Sequence, residues 1–103
     1  MSRPVGGYGE EIDLHSEIQG ICEKVKPNVE KKADQKFHTF IPLSFIQQIV
    51  AGTNYIIKVY VGHAGADECI HVKVFQALSG NGGKLAVHGH QYPKTKADII
   101  TTF

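Results

Sequence analysis

The spacing of apolar residues changes once along this chain, and that change limits what it can fold into. Ile18, Ile21, Cys22, Val25 and Val29 recur at three- and four-residue intervals, the period of a single helical stripe. Beyond residue 36 the period becomes two. Over 55–61, Ile57, Val59 and Val61 alternate with Ile56, Lys58 and Tyr60; over 70–75, Ile70, Val72 and Val74 alternate with His71, Lys73 and Phe75. One helix followed by a run of hairpin strands is an α+β meander. One face of each strand is aliphatic and the other mixed, which predicts a sheet covered on one side only.

The helix is expected over 13–33, with Asp13 or Ser16 capping its start. Glu10, Glu11 and Asp13 gather at its beginning and Lys31, Lys32 and Lys36 near its end, the arrangement the helix dipole favours. Pro27 removes one backbone bond from its interior, so a kink or a weaker second half, rather than two helices, is expected there. Aromatic and branched residues over 37–50 predict a strand, with Pro42 marking an edge or bulge. A turn at 51–54 leads to the strand over 55–61, and a second turn at 62–67 leads to the next strand. The glycine-rich 78–83 turn precedes a last strand at 84–90 and a tail, 91–103. Alternate turns of a meander share one end of the sheet, so the turns at Ala51 and Ser79 should lie side by side. Residues 1–9 hold Pro4, Gly6, Gly7 and Gly9 and read as a flexible arm, with Val5 and Tyr8 as its apolar handles.

Composition excludes several functions. The chain has 103 residues, the length of one domain, 1–103, and a net charge of +1. That balance makes no case for nucleic acid or an anionic membrane. No signal-peptide core or membrane-length apolar run is evident, and Cys22 and Cys69 read as free thiols, so a cytoplasmic location is expected. Gly80-Asn81-Gly82-Gly83-Lys84 lacks the first glycine and the Ser/Thr of a phosphate loop, which leaves a hairpin turn. Cys69 with His71, and His88 with His90, are same-face pairs that offer metal donors, but two cysteines without a CxxC fall short of a zinc site. Solvent-facing histidines are the expectation. Asp67, Glu68, His63 and His71 surround a turn with no nucleophile, and Cys22 falls on the helix's apolar stripe. Neither enzyme chemistry nor a cofactor is expected. Ile56, Tyr60 and Phe75 make a weaker case for a binding patch on the outer sheet face. What stands out is the apolar hairpin tip Gln48-Ile49-Val50-Ala51-Gly52, because hairpin tips are normally polar. Such an edge suits entry into another molecule's cleft.

Those five residues match the Gln-x-Val-x-Gly signature of the cystatins, and Thr53-Asn54-Tyr55 continues it as in the stefins. Lys24-Val25-Lys26-Pro27, Ile57-Lys58-Val59, Val72-Lys73-Val74-Phe75 and Phe103 also resemble stefin sequences, so the likeness spans nearly the whole chain. The resemblance implies the cystatin fold, a five-stranded antiparallel sheet wrapped around one long helix. It also implies a reversible, tight-binding inhibitor of papain-like cysteine proteases such as cathepsins, working as a monomer, with a domain-swapped dimer as a further form. By motif match, Val5, Gly6 and Gly7 would take the non-primed side of the protease cleft. Gln48, Ile49, Val50, Ala51 and Gly52 would take the centre, and Leu78 and Ser79 the primed side. Stefins commonly place proline after the leucine, where this chain has Ser79 and glycines. That departure keeps open an alternative, a non-inhibitory interaction module on a cystatin scaffold.

Overall fold

The computed structural model describes residues 8–9, 11–13, 16–62, 67–78 and 83–103. In chain order they form β1 (Ile12–Asp13), α1 (Ser16–Ala33), β2 (Ile41–Val50), β3 (Gly52–Tyr60), β4 (Glu68–Gln76) and β5 (Leu85–Thr95). The five strands make one antiparallel sheet in sequential order. The α+β fold read from the periodicity is the fold observed.

The predicted helical stripe is the buried stripe: Ile18, Ile21, Cys22, Val25 and Val29 are all buried. They pack on the inward residues of the sheet, including Phe45, Ile57, Val59, Ile70, Val72 and Val74. A closely packed core of this kind, with about 2 kcal/mol for each buried aliphatic side chain, holds helix to sheet. The helix starts at Ser16 rather than at residue 13, because Asp13 pairs with Ser44 in β1. Pro27 lies inside one unbroken helix, as expected, and does not split it in two. The helix ends in a left-handed residue, Asp34, at φ 55°. Gln35 N–H donates to the Glu30 carbonyl at 3.0 Å and Asp34 N–H to Lys31 at 3.3 Å. This is the Schellman arrangement, which satisfies carbonyls a helix end otherwise leaves open.

Pro42 sits at a register shift in the β2–β3 pairing, as a bulge-forming proline should. The last strand runs past the expected boundary at residue 90 to Thr95, taking in Pro93, which an edge strand tolerates.

The expectation of a sheet covered on one side is not met. On the outer face Tyr8, Ile46, Ile56 and Ile100 form a second buried cluster, with Phe103 packed against it. Ile46 and Ile56 are direct cross-strand partners, so their side chains make an apolar step that the chain covers with its own ends. Ile56 is therefore core, not patch. Tyr60 lies under the Lys96 ammonium, 4.4 Å from its ring centroid.

Candidate functional site

The tip between β2 and β3 is tighter than the sequence predicts. Val50 pairs with Gly52, Ile49 with Thr53 and Gln48 with Asn54, so Ala51 alone makes the reversal. Thr53 and Asn54 belong to the strand, and Asn54 Nδ2 donates to Gln48 Oε1 at 3.0 Å across the ladder. Gly52 makes so sharp a turn possible with φ 125°, a conformation that side chains disfavour. It is also walled in: a Cβ at this position would lie 2.6 Å from both the Gln76 carbonyl oxygen and the Phe75 ring. The residues that lead into that buried glycine stand out, Ile49 at 76% and Val50 at 48% exposure.

The second hairpin adjoins the first through the same contact. Thr53 pairs with Gln76, the last residue of β4, and Tyr55 OH donates to Gln76 Oε1 at 3.4 Å. Beyond it, Ala77 N–H donates to the Lys84 carbonyl at 2.8 Å and Gly83 N–H to Leu78 at 3.0 Å, closing the turn with Leu78 exposed. The described ends of the two hairpins therefore stand together at one end of the sheet, as the meander requires. On the other side of the tip, Gly9 N–H donates to the Gln47 carbonyl at 3.0 Å. Tyr8 and Gly9, read from the sequence as part of a flexible arm, are thus held along β2, with Tyr8 buried. Val5, Gly6, Gly7 and Ser79 lie outside the described residues.

No charged residue occurs over 45–57 or 74–83, so this end of the sheet offers apolar surface and backbone rather than electrostatic attraction. Phe75, which the sequence suggests only as part of a patch, supports the tip: one edge of its ring meets Gly52, and the ring stacks on His88 at 6.0 Å between centroids. The signal was its outward parity on β4, one residue before the turn.

The rest of the candidate chemistry does not assemble. No group of three or more potential metal ligands occurs among the described residues. His71 is fully buried, not solvent-facing, with neither ring nitrogen hydrogen-bonded. Burial, with Lys58 and Lys94 nearby, holds its pKa down to about 4. Glu68 is engaged by the Tyr92 hydroxyl, and His63 lies outside the described residues. Both cysteines are free and buried, and burial followed by the Glu23 charge pushes the Cys22 thiol up to about 12, which removes its nucleophilic form. No helix among the described residues is long and apolar enough to cross a membrane.

The whole is a small antiparallel sheet wrapped on one helix, with two adjoining hairpin ends that form a neutral apolar edge. A family model described as the cystatin domain matches residues 7–97. The chain is 39% identical to Cystatin-B of Oplegnathus fasciatus over the whole of both chains. It is 41% identical to Leukocyte cysteine proteinase inhibitor 1 of Sus scrofa, over 95% of this chain and 92% of that one. To Stefin-C of Bos taurus it is 36% identical, over 96% of this chain and 95% of that one. The chain belongs to the cystatin family and, within it, to the stefin type.

Proposed function

We propose that this protein is a reversible, tight-binding inhibitor of papain-like cysteine proteases, cathepsins among them, that acts by blocking the active-site cleft and performs no chemistry of its own. The observation that carries the reading is the edge itself: exposed Ile49, Val50 and Leu78 on two turns joined at the Gly52–Gln76 contact. In this reading Gln48, Ile49, Val50, Ala51 and Gly52 fill the centre of the cleft, and Leu78 and Ser79 the primed side. Val5, Gly6 and Gly7 reach the non-primed side. Support comes from the 41% identity to a relative whose name describes a cysteine proteinase inhibitor.

The physical logic is preorganisation. The tip is held by ladder hydrogen bonds up to Val50 and from Gly52 onward, so little backbone freedom remains to be lost on binding. Val50 and Ala51 bring apolar area without long rotamers to freeze, and a wedge of this kind buries roughly 1,600 Å² in a standard-sized interface. The inhibitor survives because its backbone lies beside the protease nucleophile and not across it. A cytoplasmic, monomeric working form belongs to the same proposal. Titrating papain with the protein tests it. Stoichiometric, reversible loss of activity at submicromolar concentration is expected; full activity at micromolar inhibitor overturns it.

A further inference from the structure

The residues that fasten the base of the N-terminal arm come from the other end of the chain. Tyr8 is 4% exposed, and its cluster contains Ile100 together with the cross-strand pair Ile46 and Ile56. Phe103 closes this cluster from the side. A Cβ on Gly89 would lie 3.6 Å from the Phe103 ring, and Lys73 Nζ donates to the Phe103 main-chain oxygen, so Phe103 is itself held. A polar support runs parallel to the apolar one. The buried Lys58 ammonium donates to the Lys96 carbonyl at 2.8 Å and lies 3.7 Å from the Glu11 carboxylate, which also accepts from Ser44 Oγ. Thus one lysine and one isoleucine pair on the sheet hold both terminal segments at once.

We propose that Ile100 and Phe103 are positioning residues for protease inhibition: by holding Tyr8 against the sheet, they fix the point from which the arm departs beside the Gln48–Gly52 tip. Neither residue belongs to the Gln48–Gly52 tip or to the turn at Leu78. The proposal rests on the inhibitor reading above, in which the arm contacts the protease. Tyr8 packs on Ile46 of β2, and Gly9 N–H donates to the carbonyl of Gln47, the residue before the tip sequence. Releasing Tyr8 adds freely rotating residues between the sheet and the arm's contact. Each must then be ordered again on binding, and that entropy appears as weaker affinity and faster dissociation.

A double-mutant cycle tests this in the full chain. Ile100→Ala is combined with an arm disabled by Gly6→Glu and Gly7→Glu together, and the inhibition constant for papain is measured alongside the melting temperature. With the arm intact, Ile100→Ala should raise the inhibition constant about ten-fold, mainly through dissociation. With the arm disabled, the same change should leave the constant unmoved while lowering the melting temperature equally in both backgrounds. Ile100→Leu should restore the constant. Tyr8→Ala, which leaves the Ile46–Ile56–Ile100 contact in place, provides a second route to the same result should Ile100→Ala fold poorly. An effect of equal size in both backgrounds makes Ile100 merely structural and overturns the proposal, as does an arm whose two glutamates change nothing. A wild-type chain that leaves papain active overturns the inhibitor reading itself.

Discussion

Gly52 answers to two demands, and only one of them concerns a protease. Its absent side chain would suit close approach to another molecule, yet the Phe75 ring and Gln76 carbonyl already occupy the space within the free protein. Gly52→Ala should therefore destabilise the uncomplexed protein by about 2 kcal/mol, combining an unfavourable φ with a backbone clash, and lower its melting temperature by roughly 10 °C. A thermal melt at unchanged midpoint would assign the glycine to the interface alone. His71 gives a second residue-scale prediction, in the variable of pH. In the fold its pKa is held to about 4 by burial first, then by Lys58 and Lys94, while Asp98 and Glu11 oppose the shift. The unfolded chain regains the ordinary value of about 6.5, so between these values it binds the proton that the fold refuses. Stability is thus complete above pH 7 and drains away as pH falls from 6.5 towards 4, by on the order of 3 kcal/mol from this group. Urea midpoints measured from pH 7 to pH 5 should decline in the native sequence and run flatter in His71→Gln. Parallel slopes would show that other groups carry the dependence.

At the scale of elements, the helix terminus offers a clean test. Asp34 adopts φ 55° at the Schellman position, a conformation that glycine reaches without strain. Asp34→Gly should stabilise the protein by about 0.5 kcal/mol, read as a higher denaturation midpoint at unchanged slope. Much of the element structure was legible beforehand because periodicity records which face meets the core. The stripe from Ile18 to Val29 and the faces that carry Ile57, Val72 and Val74 are predicted by spacing alone and are buried in the fold. What escaped was set by contacts between distant segments. Asp13 looks like a helix cap until Ser44 pairs with it, and Pro93 looks like the end of order until β5 proves to be an edge. The sequence predicts a four-residue turn at Ala51 because Thr53 and Asn54 favour turns, whereas ladder pairing with Ile49 and Gln48 outweighs that local preference. The site followed the same division. The central tip is legible as an apolar hairpin and Leu78 only through the cystatin resemblance; the supports behind them, Phe75 and His88, are not, since strand parity gives a side chain's face but not its neighbour.

Across the whole molecule, the main departure from expectation is that the sheet has two apolar faces, one covered by the helix and one by the chain's own ends. Alternation alone reads Ile56 as a stray surface residue, because the residues that bury it lie nearly fifty positions away on each side. Two free cysteines, one in the helix stripe and one on β4, are likewise both interior. For anyone wishing to watch this molecule at work, that burial is an opening. A maleimide dye would find no ready thiol on the native surface, so a cysteine introduced in place of exposed Ala51 would be the selective point of attachment. A fluorophore there would sit on the tip itself and report its passage from water into whatever cleft receives it.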